Sequence, residues 1–397
     1  MTLMRKGLLF FAVWAAVSSA LPGASADFLR EKPARARILF TGDLMTHQPQ
    51  IDAARTSGGY SFAPSFEAVK KYISAADLAV GNFETTLGGG RGGYTGYPCF
   101  SVPDAFADAV ADAGFDALTT ANNHCMDRRF WGLKRTVQQL RARSMDVFGT
   151  YLSRAERESV LVKDVNGIKI ALLSWTYGLN GFQLPKGKEW AAALLNDSAV
   201  SEDMARARAL SPDYIVACVH MGTEYVLTPP QTVVQQAEKL VSLGADAVIA
   251  SHPHVLQPVE WRASRGGGEA QSVIAWSMGN FISNQRTVPR DMGMMLELEL
   301  VKSGDITAVE SVRAIPTWVQ TRLANGKKQW RVLPLTEALR SPDVFAVRRK
   351  DLKRLREAHA DFTRRVLSRD VSVHSSDISY DVQPSQKKIF TLEKNSQ

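Results

Sequence analysis

Short β-rich runs alternate with amphipathic stretches along most of the chain, and this alternation limits the possible folds more than any other feature of the sequence. The β-rich runs are bounded by Gly, Asp and Asn and cover residues 36–41, 78–80, 117–120, 168–174, 214–219, 247–250 and 272–276. Apolar residues recur at helical spacing in residues 66–73, 105–113, 133–140, 204–210 and 233–243. Alternation of this kind predicts an α/β domain with buried sheets that are mixed or parallel.

Two further patterns follow late in the chain. Within residues 294–301, apolar and polar side chains alternate strictly from Leu296 to Leu300, and together with residues 306–312 this run predicts an antiparallel pair of strands. Beyond them, one face of a predicted basic helix carries the apolar residues Val347, Leu352, Leu355, Phe362 and Val366. We expect this helix to pack through its apolar stripe, and docking on an acidic polymer or an anionic lipid is the alternative.

The N-terminus has the pattern of a secretory signal. Arg5 and Lys6 precede an apolar run, and Ala24-Ser25-Ala26 offers a small-x-small cleavage site. The sequence therefore predicts a signal peptide (1–26), a main domain (27–335) and a C-terminal extension with a basic helix and a polar tail (336–397). Export to the periplasm or the cell surface is expected, and an uncleaved N-terminal helix that anchors the protein in a membrane is the alternative.

The net charge of +8 is concentrated in two segments. Two positive charges belong to the signal segment, and residues 348–369 carry nine Lys/Arg against three Asp/Glu. The main domain is therefore close to neutral, so the overall charge gives no reason to expect a nucleic acid partner. The sequence also lacks a nucleophile elbow, a Gly-Lys-Ser/Thr phosphate loop and a dinucleotide-binding fingerprint.

The three cysteines are too few for a disulfide scaffold. Cys218 lies in an apolar run and is expected to be a buried small hydrophobe. Cys99 and Cys125 both flank loops and could pair in an oxidising compartment, but their spacing alone does not decide whether the geometry allows a disulfide.

Five of the seven histidines stand at or just beyond the ends of predicted strands: His47, His124, His220, His252 and His254. Open α/β sheets bind ligands at the carboxyl ends of their strands. Each of these histidines has Asp, Asn or Glu nearby, and Zn, Mn and Fe are bound by imidazole nitrogens together with carboxylate or amide oxygens. The pattern predicts a site gathered from several loops, with one or two divalent ions.

Glu224 follows His220 by four residues. As a functional residue it would be a base or a carboxylate that orients the substrate. As a structural residue it would cap the next turn.

A succession of short motifs surrounds these histidines. They are Gly42-Asp43, Gly81-Asn82-Phe83-Glu84, Ala121-Asn122-Asn123-His124 with Asp127, His220-Met221-Gly222-Thr223-Glu224-Tyr225, His252-Pro253-His254-Val255 and Ser277-Met278-Gly279-Asn280-Phe281. In this order they resemble the poly-γ-glutamate capsule biosynthesis protein CapA family over roughly residues 38–313. That family is similar to calcineurin-like metallophosphoesterases. The resemblance implies a metallophosphoesterase-like β-sandwich of mixed sheets flanked by helices, with a two-metal site at its edge.

The resemblance also assigns roles to residues. It implies that the metal ligands include Asp43, Asn123, His220, His252 and His254. His124 would protonate a leaving group or stabilise the transition state. From its own position near His220, and not from the resemblance, Glu224 is placed with His124 as a second catalytic residue. Asn280 would either hydrogen-bond the substrate or fix a turn.

Two positions depart from the phosphoesterase pattern. Met45 stands where a histidine is expected, and His47 would either replace that histidine or contact the substrate. Asn82 stands where an aspartate bridges two metals, and a neutral amide bridges two cations poorly. Either Glu84 takes over the bridge, or the site holds one metal or none. We therefore place Glu84 with the metal ligands and His47, Asn82 and Asn280 with the substrate.

Two functions are compatible with these residues. The first is an exported metal-dependent hydrolase that acts on a phosphoester or on an anionic cell-surface polymer such as poly-γ-glutamate. The second is a non-catalytic binding or export accessory of a membrane polymer synthase, in which the same fold carries a degenerate metal site. Met45 and Asn82 favour the second function, and the later His and Asn positions favour the first.

Overall fold

The computed structural model describes residues 32–263, 271–324, 326–367 and 380–381. From Pro33 onward these residues belong to one compact unit. The signal peptide expected in residues 1–26 and most of the polar tail expected after Arg369 lie outside the described residues. Within the described part, no helix is both long enough and apolar enough to cross a bilayer.

The described elements follow the predicted alternation. The strands are β1 (Ala34–Leu44), β2 (Arg55–Thr56), β3 (Gly59–Tyr60), β4 (Leu78–Phe83), β5 (Ala117–Thr119), β6 (Asp146–Phe148), β7 (Leu161–Val165), β8 (Ile168–Thr176), β9 (Tyr214–His220), β10 (Ala247–Ser251), β11 (Val259–Ala263), β12 (Gln271–Ala275), β13 (Asn280–Ile282), β14 (Met292–Ser303), β15 (Ile306–Ala324), β16 (Lys327–Pro334) and β17 (Tyr380–Asp381). The α-helices are α1 (Gln48–Ala53), α2 (Lys70–Ile73), α3 (Ala105–Ala113), α4 (Arg129–Arg141), α5 (Arg154–Glu158), α6 (Asp197–Ala209), α7 (Gln231–Ser242), α8 (Leu335–Arg340) and α9 (Leu352–Val366).

The first sheet is mixed and is built around β1. Its order is β16-β15-β14-β1-β4-β5-β6, with β13 also paired to β1 and β17 to β15. Strand β1 runs parallel to β4 and antiparallel to β14. Strands β14 and β15 form the antiparallel pair that the strict alternation predicted.

The second sheet has the order β11-β12-β10-β9-β8-β7. Its central strands β8, β9, β10 and β12 are parallel. The two edge strands, β7 and β11, are antiparallel to their neighbours. The second sheet is therefore also mixed.

The two sheets pack face to face because side chains alternate between the two sides of each strand. Ile38 and Phe40 of β1 lie in the core between the sheets, together with Leu172 and Val216 of the second sheet. Leu39 lies on the other side of the first sheet, in the core beneath the helices that cover it. The predicted sandwich of mixed sheets flanked by helices is confirmed.

The helices agree with the sequence in position but less well in length. Helix α3 spans the predicted residues 105–113. Helix α6 begins seven residues before the predicted start, at Asp197, because the Asn196 side chain accepts a hydrogen bond from Ala199 N–H and caps it. Helix α2 begins only at Lys70, because residues 66–69 of the predicted helix form turns that follow a 3-10 segment, Ala63–Ser65.

The C-terminal basic helix forms as α9 and packs through its apolar stripe. Leu355, Phe362 and Val366 are fully buried in the core between the sheets and helices. Val347 is also buried, but it precedes the helix. The packing expected of the stripe is thus present in the structure.

Four aspartates stabilise the edge of the sandwich at which the parallel strands begin. Each stands directly before a strand, and its carboxylate accepts the backbone N–H of a residue in the neighbouring strand. The pairs are Asp77 with Arg37, Asp116 with Ala79, Asp213 with Lys169 and Asp246 with Ile215. The same backbone positions also bond in return, so each aspartate fixes the register of two strands.

All three cysteines are free thiols. Cys218 faces the core between the sheets, as predicted for a buried small hydrophobe. Burial raises the pKa of the Cys218 and Cys125 thiols to about 12.

Candidate metal centre

The parallel strands of both sheets end at the same edge of the sandwich, and the predicted metal ligands meet there. Asp43 is near the end of β1 and Glu84 directly follows β4 in the first sheet. His220 ends β9, and His252 and His254 follow β10 in the second sheet. The site therefore lies between the two sheets.

Asp43 is placed by a close approach of two backbone segments. Its N–H donates to the Gly279 carbonyl oxygen at 3.0 Å. A Cβ on Gly42 would lie 2.0 Å from that same oxygen, so only glycine fits before Asp43. This contact explains why Gly42-Asp43 and Gly279-Asn280 occur together in the motif series.

Asp43 and His254 connect the two sheets. The His254 Nδ1 and the Asp43 Oδ2 are 2.9 Å apart, and both side chains are buried. A carboxylate that binds one imidazole nitrogen fixes the ring and leaves the other nitrogen free for a ligand. The free nitrogen, His254 Nε2, lies 3.7 Å from Glu84 Oε1.

Glu84 lies at the centre of the cluster. Its Oε1 is 3.5 Å from His220 Nε2 and 3.7 Å from His254 Nε2, and it has no hydrogen-bond partner. Two ligand atoms of one tetrahedral zinc are separated by about 3.3 Å when each bond is about 2.0–2.1 Å long. The spacing of these three atoms therefore fits ligands of a common ion.

His252 contributes a further candidate ligand atom to this cluster. Its Nδ1 is buried without a hydrogen-bond partner. Three overlapping groups bring their ligand atoms within 4.8 Å of one another: Glu84, His220 and His252; Asp43, Glu84 and His254; and Glu224, His252 and His254. Each group shares a residue with the next, so the donor set fits one or two divalent ions.

Asn82, which the resemblance places where a bridging aspartate is expected, contacts both carboxylates. Its Nδ2 lies 2.7 Å from Asp43 Oδ1, 3.4 Å from Glu84 Oε2 and 3.3 Å from His220 Nδ1. Only 3% of Asn82 is exposed. The amide is therefore part of the buried polar network and holds the two carboxylates in place.

Asn123 extends the network toward the surface. Its Oδ1 is 2.9 Å from His220 Nε2, and its Nδ2 donates to Asn180 Oδ1 at 3.1 Å. An amide oxygen near His220 Nε2 can share a metal with that imidazole, as the sequence predicted for Asn123.

His124 and Asp127 form a buried pair beside the cluster. The His124 Nδ1 lies 2.8 Å from Asp127 Oδ2, and the same oxygen accepts the Phe100 N–H at 2.7 Å. Burial raises the pKa of Asp127, although the His124 hydrogen bond opposes this shift. Asp127 thus orients the imidazole and leaves its Nε2 available for proton transfer.

Burial shifts the pKa of the clustered groups in the directions that a metal site requires of its imidazoles. It lowers the pKa of His220 well below the ordinary value and that of His252 to about 4, and neighbouring histidines add to both shifts. Both imidazoles are therefore neutral at pH 7, which is the form that binds a metal ion.

The two carboxylates at the centre shift in opposite directions. Burial and the charge of Asp43 raise the pKa of Glu84 well above its ordinary value. Burial alone would raise the pKa of Asp43 as well, but the hydrogen bonds from His254 and Asn82 have a larger combined effect. The pKa of Asp43 is therefore lowered. A cation beside Glu84 would favour its charged form.

The loops that carry the ligands are strained. His252, His254 and Tyr225 adopt positive φ angles of 106°, 56° and 68°. Non-glycine residues in this region cost about 1–3 kcal/mol each and persist where the surroundings fix them. Here the Tyr225 N–H donates to the Pro253 carbonyl at 2.8 Å, which joins the two strained loops.

Two residues predicted to bind substrate have defined partners inside the protein. His47 precedes α1, and its Nδ1 accepts the Asn284 N–H at 3.2 Å. Asn280 is fully buried, and its Nδ2 donates to the carbonyls of His254 and Arg290 at 3.3 and 2.8 Å. Asn280 fixes these two loops, which is the structural alternative that its sequence position allowed.

Several residues of the site were not assigned from sequence. Asn122 donates to the Phe83 carbonyl and accepts the His124 N–H, and Asn180 lies 3.4 Å from His124 Nδ1. The Tyr177 ring lies 4.6 Å from that of His252. Asn180 comes four residues after the end of β8, so the rule that identified the histidines also points to it.

Similarity to known proteins agrees with the motif series. A sequence model described as bacterial capsule synthesis protein PGA_cap matches residues 37–285. The PGA biosynthesis protein CapA of Bacillus subtilis (strain 168) is 26% identical over 295 residues, which cover 71% of this chain and 73% of that protein. The capsule biosynthesis protein CapA of Bacillus anthracis is 25% identical over 293 residues, which cover 72% of this chain and 67% of that protein.

A solved structure with a similar arrangement is that of the NAD nucleotidase NadN of Haemophilus influenzae. The TM-score is 0.45 at 14% sequence identity, and the match covers 84% of this chain. It covers 61% of that chain, less than two thirds of its length. By the sequence match over residues 37–285, the chain belongs to the bacterial capsule synthesis protein family PGA_cap.

Proposed function

We propose that this protein is a metal-dependent hydrolase of capsule polymer biosynthesis, exported to the periplasm or cell surface. The observation that carries the proposal is the unbonded Glu84 Oε1, which lies between His220 Nε2 and His254 Nε2 at 3.5 and 3.7 Å. A charged, buried carboxylate oxygen without a partner costs several kcal/mol, and a cation bound to it removes that cost. The expected ligands are Asp43, Glu84, Asn123, His220, His252 and His254.

A divalent ion in this donor set, Mn, Zn or Fe, would supply Lewis acidity toward an oxygen of the substrate. The chain itself provides the proton transfer. Asp127 holds His124 through Nδ1, so Nε2 can deliver a proton to the leaving group. Glu224 stands at the rim beside His252 and His254, where it can orient the substrate.

The substrate is proposed to be an anionic polymer of the cell surface, or a phosphoester derived from it. The names of the two Bacillus relatives support a role in capsule synthesis. The neutral main domain has no broad basic field, so local groups at the site must attract the substrate. A membrane polymer synthase is the proposed partner.

A second candidate function follows from Asn82. Its amide already donates to Asp43 and lies near Glu84, so the network is partly satisfied without a cation. A site of this kind also suits a binding or export accessory that holds polymer without cleaving it.

Turnover and polymer binding separate the two functions. We would assay hydrolysis of bis-p-nitrophenyl phosphate and of γ-glutamyl p-nitroanilide with Mn, Zn and Fe, and measure binding of poly-γ-glutamate in parallel. The hydrolase predicts turnover that falls at least about 100-fold in His124→Ala while the metal content stays unchanged. Polymer binding without turnover of either substrate, in metal-loaded protein, would establish the accessory function instead.

A further inference from the structure

Arg290 presents a cation at the rim of the metal centre. Its guanidinium lies over the Tyr225 ring, 3.3 Å from the ring centroid. The same ring lies 6.1 Å from the His254 ring, centroid to centroid. Tyr225 is 37% exposed and Arg290 is half-buried, so the pair borders the approach to the ligands.

Within the described residues, no ion pair satisfies the Arg290 guanidinium. The salt bridges there pair other arginines with carboxylates, including Arg354 with Asp291. A cation held on an aromatic face remains able to bind an oxyanion through its N–H groups. Arg290 therefore resembles a ligand-binding arginine more than a structural one.

The backbone of Arg290 is fixed from two sides. Asn280 Nδ2 donates to the Arg290 carbonyl at 2.8 Å and to the His254 carbonyl at 3.3 Å, so a single buried amide sets the position of both loops. The next residue, Asp291, accepts hydrogen bonds from Arg354 at 2.7 and 3.0 Å and from Trp318 at 2.8 Å.

The loop that carries Tyr225 is fixed as well. The Tyr225 N–H donates to the Pro253 carbonyl, and Gln257 Nε2 donates to the Val226 carbonyl at 2.7 Å. Hydrogen bonds thus join the segment that carries the Tyr225 ring to the loop that carries His252 and His254. An arginine on a preorganised support loses little entropy when it binds an anion.

We propose that Arg290 binds an oxyanion of the substrate, a carboxylate or a phosphate, next to the bond that reacts at the metal centre. This assignment rests on the proposed hydrolase function and names the residue that gives the site its preference for anionic substrates. Tyr225 positions the guanidinium, and Asn280 sets the separation between this anion site and His254.

The test measures anion binding and steady-state kinetics in four full-length variants. Binding of inorganic phosphate and of glutarate is measured by calorimetry, and kinetics by hydrolysis of bis-p-nitrophenyl phosphate. The variants are Arg290→Gln, Arg290→Lys, Tyr225→Phe and the control Arg356→Ala, which removes the same charge from an exposed position on α9. The anion that binds wild-type protein more tightly identifies the group that Arg290 recognises.

We expect Arg290→Gln to weaken binding of that anion by about 10- to 100-fold and to raise KM by a similar factor while kcat changes less than about threefold. Arg290→Lys should retain part of the binding. Tyr225→Phe, which keeps a ring beneath the guanidinium, should lose less binding than Arg290→Gln, and only Arg356→Ala should bind as the wild type does. Equal anion binding in wild type and Arg290→Gln, or no binding of either anion by wild type, would overturn the assignment.

Metal analysis of the same samples separates this failure from failure of the proposed function. If metal and turnover are present but Arg290→Gln changes neither KM nor anion binding, the Arg290 assignment alone is wrong. If the wild type binds no metal, the hydrolase proposal fails, whatever the anion data show.

Discussion

The His254 imidazole and the Asp43 carboxylate meet across the two sheets, with 2.9 Å between Nδ1 and Oδ2. His254 follows β10 of the second sheet, and Asp43 is the last residue but one of β1 in the first sheet. Because the bond fixes the tautomer of His254, it leaves Nε2 facing Glu84. The candidate metal centre therefore requires the two sheets to be packed against each other as they are in the structure.

Asp43→Asn tests this relationship. The change removes a charged ligand and weakens the bond that orients His254, so we expect metal affinity to fall by about 10- to 100-fold. The measurement is competition with a chelator of known affinity. Asp116→Asn, at the other end of the same sheet, is the matched control and should retain metal; equal losses in both variants would contradict a specific role for Asp43.

Asp127→Asn tests the orientation of His124. An amide at this position can present the wrong partner to Nδ1, so we expect kcat to fall by about 100-fold or more with KM and metal content nearly unchanged. Steady-state kinetics across the pH range give the result. Wild-type kcat in Asp127→Asn would show that the pair is structural only.

Arg354→Ala tests how α9 is anchored. Asp291 is 2% exposed and accepts hydrogen bonds from Arg354 through both of its oxygens. Breaking a buried pair on one side leaves the other charge uncompensated, so we expect a loss of about 3 kcal/mol in the free energy of unfolding. Urea denaturation measures it, and the exposed Arg356→Ala on the same helix should change stability by less than about 0.5 kcal/mol.

Asp246 gives a pH dependence of stability. Burial raises its pKa to about 6, so the folded state holds an extra proton between the unfolded pKa of about 3.9 and that value. Stability contributed at this position therefore falls as pH rises through this interval. The variant Asp246→Asn keeps an acceptor for Ile215 N–H. Relative to this variant, the free energy of unfolding of the wild type should fall by up to about 2 kcal/mol between pH 4 and 6.

Asp213 is the control for this experiment because it occupies the same structural position with the opposite shift. Burial alone would raise the pKa of Asp213, but the hydrogen bonds from Lys169 N–H and Lys302 have a larger combined effect and lower it. The contribution of Asp213 to the free energy of unfolding is fully present above about pH 4 and is lost only as the pH falls below that value. If the difference in the free energy of unfolding between wild type and Asp246→Asn stays constant from pH 4 to pH 6, the raised pKa of Asp246 is contradicted.

The elements that sequence predicted well are those that local pattern determines. The strand of residues 168–174 was recognisable because all of its residues except Lys169 and Ser174 are apolar, and the strict alternation from Leu296 to Leu300 gave the antiparallel pair. The start of α6 was missed because the Asn196 cap lies outside the apolar pattern. Helix ends depend on single hydrogen bonds, which apolar periodicity does not reveal.

The same division applies to the site. The strand-end rule brought His220, His252 and His254 together correctly, since parallel strands of both sheets end at one edge. It could not show that Asn82 contacts both carboxylates, because that depends on the register in which β1 pairs with β4, with Asp43 opposite Asn82. Arg290 lies outside the motif series, and only the packing of its loop against Tyr225 places it at the rim.

The most direct test of the account is the metal content of protein purified without a chelator or an affinity tag that binds metal. We expect about one or two Mn, Zn or Fe ions per chain by elemental analysis, and a loss of most of that metal in the double variant His252→Ala plus His254→Ala. Fewer than about 0.2 ions per wild-type chain, with the same value in the double variant, would contradict the metal centre and with it the hydrolase.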